Sequence, residues 1–152
     1  HLAWLVVAAW TGGIWTTGYL AAPALFRQLP DRQLAGMLAG ELFRVTAYLG
    51  IVCALLLLMV ALARLGRRAL ANKTVWVIAA MLLLTLAGQL GVQPILASLK
   101  AQALPNAVMD SAYAGQFRAW HGVASILYLV QSLLGAVLVI RMRDFPGKVS
   151  GA

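Results

Sequence analysis

The chain has 152 residues, of which 62% are hydrophobic and 11% charged, and its net charge is +8 at pH 7. Soluble domains carry roughly 25% charged residues, and a chain this short cannot bury so much apolar surface in one water-facing globule. The composition excludes a soluble domain and points to one membrane-embedded unit spanning residues 1–152. The basic residues flank apolar tracts instead of forming one stripe, which favours membrane lipid phosphates over nucleic acid as their partners.

Four tracts carry no charged residue: 2–26, 45–63, 74–99 and 119–140. Each approaches or exceeds the roughly 20 residues that a helix needs to cross the hydrocarbon core. Backbone groups in lipid must be satisfied internally, and Leu- and Ala-rich tracts of this length do so as helices. The expected fold is an all-α integral membrane protein, a bundle of four transmembrane helices. The first tract lacks a basic n-region and is read as a helix, not a signal peptide. It is rich in small residues, Thr11-Gly12-Gly13 and Thr16-Thr17-Gly18, which allow close helix packing. Pro23 near its end predicts a kink or a helix end.

After Leu29-Pro30-Asp31 a second helix is expected, with Pro30 in its first turn and Asp31 near its positive end. No breaker intervenes before Ala63, so this helix begins outside the apolar zone and runs in continuously. Gly36 and Gly40 form a small-residue pair on it, and Cys53 reads as a packing residue deep within it. Gly66 is placed to end the helix and Asn72 to cap the next one. Pro94 repeats the position of Pro23, and Leu104-Pro105-Asn106 is expected to open another segment leading through Gly115 and Phe117-Arg118 into the last tract. The order Gly18, Pro23, Pro30, Gly40, Phe43-Arg44 is matched by Gly88, Pro94, Pro105, Gly115, Phe117-Arg118, which reads as two tandem helical hairpins, about 1–65 and 73–143. Trp4, Trp76 and Trp120 lie near tract ends, as interfacial anchors do.

Orientation is set by the basic residues. The middle link and the tail hold Arg64, Arg67, Arg68, Lys73, Arg141, Arg143 and Lys148; the other two links hold Arg27, Arg32, Arg44, Lys100 and Arg118 together with Asp31, Glu41 and Asp110. Seven against five places both termini in the cytoplasm of a cell whose inner membrane the chain spans.

The candidate site lies on the opposite, outer side. Paired proline kinks there would open a vestibule lined by Tyr19, Gln89 and Gln93. Arg44 and Arg118 either snorkel to phosphates or turn inward, to pair with Glu41 or to receive an anion together. Glu41 also precedes Arg44 by three residues, so a same-face helix pair needs no functional meaning. His121 admits three readings: an interhelical hydrogen bond, a polar contact in a ligand cavity, or a haem or metal ligand. Few other ligands accompany it, so no metal site is assigned. No nucleophile–base–acid set, phosphate loop, HExxH or CxxC motif occurs, and no catalytic residue is proposed.

The residues from Gly18 to Phe26, then Ala35-Gly36 and residues 40–43, and finally Phe117-Arg118-Ala119-Trp120-His121-Gly122, resemble the signature of the transmembrane protein 205-like family, domain of unknown function 4149. That family resembles a wider group of four-helix units including copper-resistance protein D and a haem-dependent porphyrinogen oxidase. The resemblance implies importance for Gly18, Pro23, Phe26, Gly36, Gly40, Phe43, Phe117, His121 and Gly122. It also implies a serine and an asparagine after the histidine-glycine pair, where this chain has Ala124 and Tyr128. That departure weakens a redox or metal role; haem and copper remain the cofactors to consider. Three functions stand open: binding or transport of a small molecule or ion through an outer polar cavity, a haem-, metal- or quinone-associated redox protein, and a structural or assembly partner, with homo-oligomers or other membrane proteins as candidate partners.

Overall fold

A computed structural model describes residues 2–145. The described chain is helical, with no strand among the described residues. We number four long helices. Helix α1 covers residues 2–28 as Leu2–Trp15, a π-helical segment Thr16–Ala21, and Ala22–Gln28. Helix α2 is Arg32–Leu65, 34 residues and about 51 Å long. Helix α3 covers Lys73–Ala103 as Lys73–Leu86, a π-helical segment Ala87–Val92, and Gln93–Ala103. Helix α4 is Ala114–Arg141.

The helices pack as a ring in chain order, α1 on α2, α2 on α3, α3 on α4 and α4 on α1. One end of the bundle carries the α1–α2 and α3–α4 links and is called the far end. The near end carries the α2–α3 link and the C-terminal turn Met142–Asp144. Lys148 of the basic tail lies outside the described residues.

Among the described residues, α2, α3 and α4 are long and apolar enough to cross a membrane. The expected fourth span, α1, is not one of them. Its Thr11, Gly12, Gly13, Thr16, Thr17, Gly18 and Tyr19 dilute its apolar character. Its buried side, Val7, Trp10, Thr11 and Ile14, faces the other helices.

Local chemistry accounts for the helix ends. The Asp31 carboxylate caps α2, accepting hydrogen bonds from the Gln33 and Leu34 amides at 2.8 and 3.1 Å. Pro30 therefore precedes the cap instead of entering the first turn. Gly66, at φ 51°, ends α2 in a conformation that disfavours a Cβ. Asn72 caps α3 by accepting from the Thr74 amide at 2.8 Å. The expected helix at Leu104-Pro105-Asn106 does not form. That stretch is a turn followed by one 3-10 turn, Val108–Asp110, and α4 begins only at Ala114. The two hairpins thus differ in their links.

The core lies in the near half. Trp10, Cys53, Leu57, Ile78, Met81 and Leu138 pack within it. Gly50 lets the indole Nε1 of Trp10 come close to α2: a Cβ there would lie 2.5 Å from it. Gly135 brings α4 close to Thr11 of α1. The far half packs differently. Its buried residues are Ala22, Ala35 and Ala39 in the first hairpin and Val92, Leu96, Leu99 and Ala103 in the second, while residues 114–130 of α4 include none. Ala35 and Ala39 are buried, and Gly36 lies beside Phe26 of α1. Gly50→Ala should destabilise the protein by about 1–3 kcal/mol through overpacking on Trp10. Gly12→Ala, with nothing within 4 Å of the added carbon, should show no such loss. Thermal unfolding of both variants in detergent checks this.

Candidate functional site

Each proline comes just after a π-helical segment. Thr16–Ala21 ends two residues before Pro23, and Ala87–Val92 ends two residues before Pro94. The last bond of each wide turn has the same spacing, Ala22 N–H to the Thr17 carbonyl and Gln93 N–H to the Gly88 carbonyl. A proline ring clashes with the carbonyl four residues back in a regular helix. One wide turn relieves the clash without ending the helix, and such turns often mark functional positions. The prolines thus mark wide turns in continuous helices, a feature that residue spacing alone does not separate from a kink.

The wide turn of α1 is filled from α4. The Tyr128 hydroxyl donates to the Ile14 carbonyl at 2.6 Å, beside the start of the wide turn. A Cβ on Gly18 would overlap the Tyr128 ring, so glycine is required there. Phe43 of α2 packs its edge on the same ring at 4.9 Å. Tyr128 occupies the position where the family resemblance implies asparagine, and nothing in the residue pattern singled it out for this role.

Between the far halves of α2 and α3 lies a groove of about 510 Å³, lined by Met37, Gly40, Glu41, Arg44, Gln89, Gln93, Pro94, Ala97 and Lys100. The helices are antiparallel, so Met37 and Lys100 mark its far end and Arg44 and Gln89 its inner end. Along α3 it extends about 16 Å from Gln89 to Lys100. The stripe Thr85, Gln89, Gln93 changes neighbour across the wide turn. Thr85 meets Gln131 of α4, whose Nε2 donates to Thr85 Oγ1 at 3.0 Å, whereas Gln89 and Gln93 face the groove with α2. Gln131 is buried, and its Oε1 has no donor among the described residues.

Four of the seven ligand candidates, Glu41, Arg44, Gln89 and Gln93, share the groove. Arg44 holds Glu41 with a two-pronged bond, Nη2 to Oε1 at 2.6 Å and Nε to Oε2 at 3.0 Å. This is the same-helix pair that their spacing allows. The other three candidates lie elsewhere. Tyr19 does not line the groove; its hydroxyl donates to Ser132 Oγ at 3.0 Å, on the α1–α4 side. Arg118 bonds to the Ala114 carbonyl of its own helix and does not meet Arg44, so the symmetric arginine pair is not formed. His121 is exposed and stacks on Phe117 at 5.9 Å. His121 and Arg118 do not line the α2–α3 groove. Lys100, which residue order places only among the basic flanks, lines the groove and lies 5.7 Å from the Phe117 ring.

Of the glycines, prolines and aromatics grouped with the site, Gly40 and Pro94 line the groove, while Gly36 faces Phe26 across the first hairpin. Gly122 has open space around it. No group of three or more His, Cys, Asp or Glu side chains able to hold a metal occurs among the described residues. Cys53 is buried in the near-half core, remote in the fold from the groove.

Residues 5–105 match the model of the domain of unknown function DUF4149. The chain belongs to that family. The matched span covers both prolines, both wide turns and every groove residue. No curated protein and no solved structure matches the chain.

Tyr128→Phe keeps the ring but leaves the Ile14 carbonyl without its cross-helix donor. It should lower stability by about 1–3 kcal/mol, read as a lower unfolding temperature in detergent. An equal loss from Tyr19→Phe, whose hydroxyl is half-exposed, would show that the wide turn has no special need for its donor.

Proposed function

We propose that this DUF4149 protein is a four-span membrane protein, built as two tandem hairpins, that binds or transports a small molecule or ion through the groove between them. The observation that carries the reading is the groove itself. Three charged side chains and two amides line it, on two helices that also expose Leu38, Leu42, Val45 and Leu90. Ionisable groups gathered beside the apolar tracts of two membrane-spanning helices are candidates for a ligand path. The matched wide turns before Pro23 and Pro94 support the repeat. The location of the groove on the outer face, with both termini in the cytoplasm of a bacterial inner membrane, rests on the basic residues of the near end. The distant likeness to the transmembrane protein 205-like and copper-resistance proteins belongs to this proposal too, but the groove supplies no soft-metal ligand set.

One observation favours the structural-partner reading. Arg44, Arg118 and His121 are all exposed, so none is committed to an enclosed site.

Gly40 faces the groove with nothing within 4 Å of its Cβ position, so a large side chain fits there without disturbing the fold. Gly40→Trp should fill the groove and remove any compound that co-purifies with the wild-type protein, measured by mass spectrometry of organic extracts. Gly122→Trp, equally open but outside the groove, should retain it. Loss in both or neither variant would reject the groove as the binding place. For topology, Ser111→Cys and Arg67→Cys in a Cys53→Ala background test the two ends. A membrane-impermeant maleimide applied to intact cells should label only the position-111 variant.

A further inference from the structure

The charge pattern of the groove narrows its ligand, and this step rests on the binding reading above. We propose that the groove receives the phosphate group of an anionic amphiphile, with Lys100 as its counter-charge and the Gln89 and Gln93 carboxamides as neutral donors.

Three features lead there. First, the single acid in the lining is already occupied. Both carboxylate oxygens of Glu41 face the Arg44 guanidinium, at 2.6 and 3.0 Å. The pair is neutral as a unit, and a cationic ligand would have to displace the arginine fork. Second, the charge left over is positive. Lys100 makes no ion pair among the described residues and rests against the Phe117 ring, 5.7 Å from its centre. Arginine has five N–H donors, and the pair with Glu41 uses two of its nitrogens, so Arg44 still has donors to spare. Lysine ammonium and amide N–H groups satisfy phosphate oxygens by charge-assisted and ordinary hydrogen bonds. Third, the rest of the lining is apolar. Met37, Gly40, Pro94 and Ala97 complete the wall, and exposed Leu38, Leu42, Val45 and Leu90 lie on the same two helices. A groove open at the bundle surface, polar within and apolar around, suits a head that carries a tail better than a fully hydrated ion.

The same phosphate chemistry could be offered by a lipid headgroup or by a soluble phosphate ester, and the test separates them. The full chain in detergent is mixed with phosphatidylglycerol, phosphatidylcholine or a diacyl trimethylammonium lipid, and bound lipid is counted by native mass spectrometry. Glycerol phosphate is added as a soluble competitor. The expected result is one phosphatidylglycerol retained per chain in preference to the other two. Lys100→Gln should weaken it about tenfold, the scale of one charge-assisted hydrogen bond, and Lys100→Arg should restore most of it. Arg118→Gln, an exposed cation outside the groove, should change nothing. Displacement by glycerol phosphate at concentrations similar to the lipid's would overturn the amphiphile and assign the phosphate site to a soluble ester. Equal losses from Lys100→Gln and Arg118→Gln would overturn the proposal, because they indicate diffuse surface attraction. Retention of the cationic or zwitterionic lipid, abolished by Gly40→Trp, would overturn the ligand class and leave the groove as a binding place. Lipid retention unaffected by Gly40→Trp would remove both.

Discussion

The structure depends on how α1 and α3 accommodate a proline inside a helix that cannot tolerate an unbonded backbone. In apolar surroundings each unsatisfied amide or carbonyl costs several kcal/mol. Both helices meet the problem with one wide turn just before the proline, and both continue beyond it. In α1 the carbonyl of Ile14, just before the wide turn, accepts from the Tyr128 hydroxyl of α4. That bond also ties the first helix to the last one. It needs a glycine at position 18 and gains an aromatic contact from Phe43, so three helices meet at one tyrosine.

The wide turns divide the bundle into two regimes. Below them, toward the near end, Trp10, Leu57, Ile78 and Leu138 form a closed apolar core. Beyond them the hairpins pack within themselves, through Ala35 and Ala39 in one and Leu96 and Leu99 in the other. A wide turn adds a residue, and each added residue rotates the remainder of the helix by about 100°. This accounts for Thr85 meeting α4 while Gln89 and Gln93 look toward α2. The groove is the space between two hairpins that share a core at one end only. Its polar lining is tolerated because Glu41 and Arg44 neutralise one another at the opening.

Much of the architecture is legible in the residue pattern because it obeys local rules. Uncharged tracts delimit the helices, and Asp31, Gly66 and Asn72 act at the helix ends where their chemistry predicts. The pattern misled where local rules compete. Pro105 resembled Pro30 in context, yet the second link stays a turn until Ala114, and the tandem match loosens there. Gly36 and Gly40 read as one small-residue pair, and in the fold Gly36 lies beside Phe26 while Gly40 lines the groove. His121 stood out by rarity, although rarity carries no information about which way a helix face turns.

The sequence by itself determined that the chain is helical and apolar, where the second helix starts and stops and the third begins, and that polar residues gather toward one end. These depend on charge-free length, capping chemistry and proline position, all readable within a few residues. Only the tertiary structure decided which polar residues share a space. It grouped Lys100 with Glu41, Arg44, Gln89 and Gln93, sent Tyr19 to Ser132, and left His121 exposed. For α3 the physical reason is rotational: its wide turn shifts the facing of the residues beyond it, and one residue is enough to change a side chain's neighbour from one helix to the next.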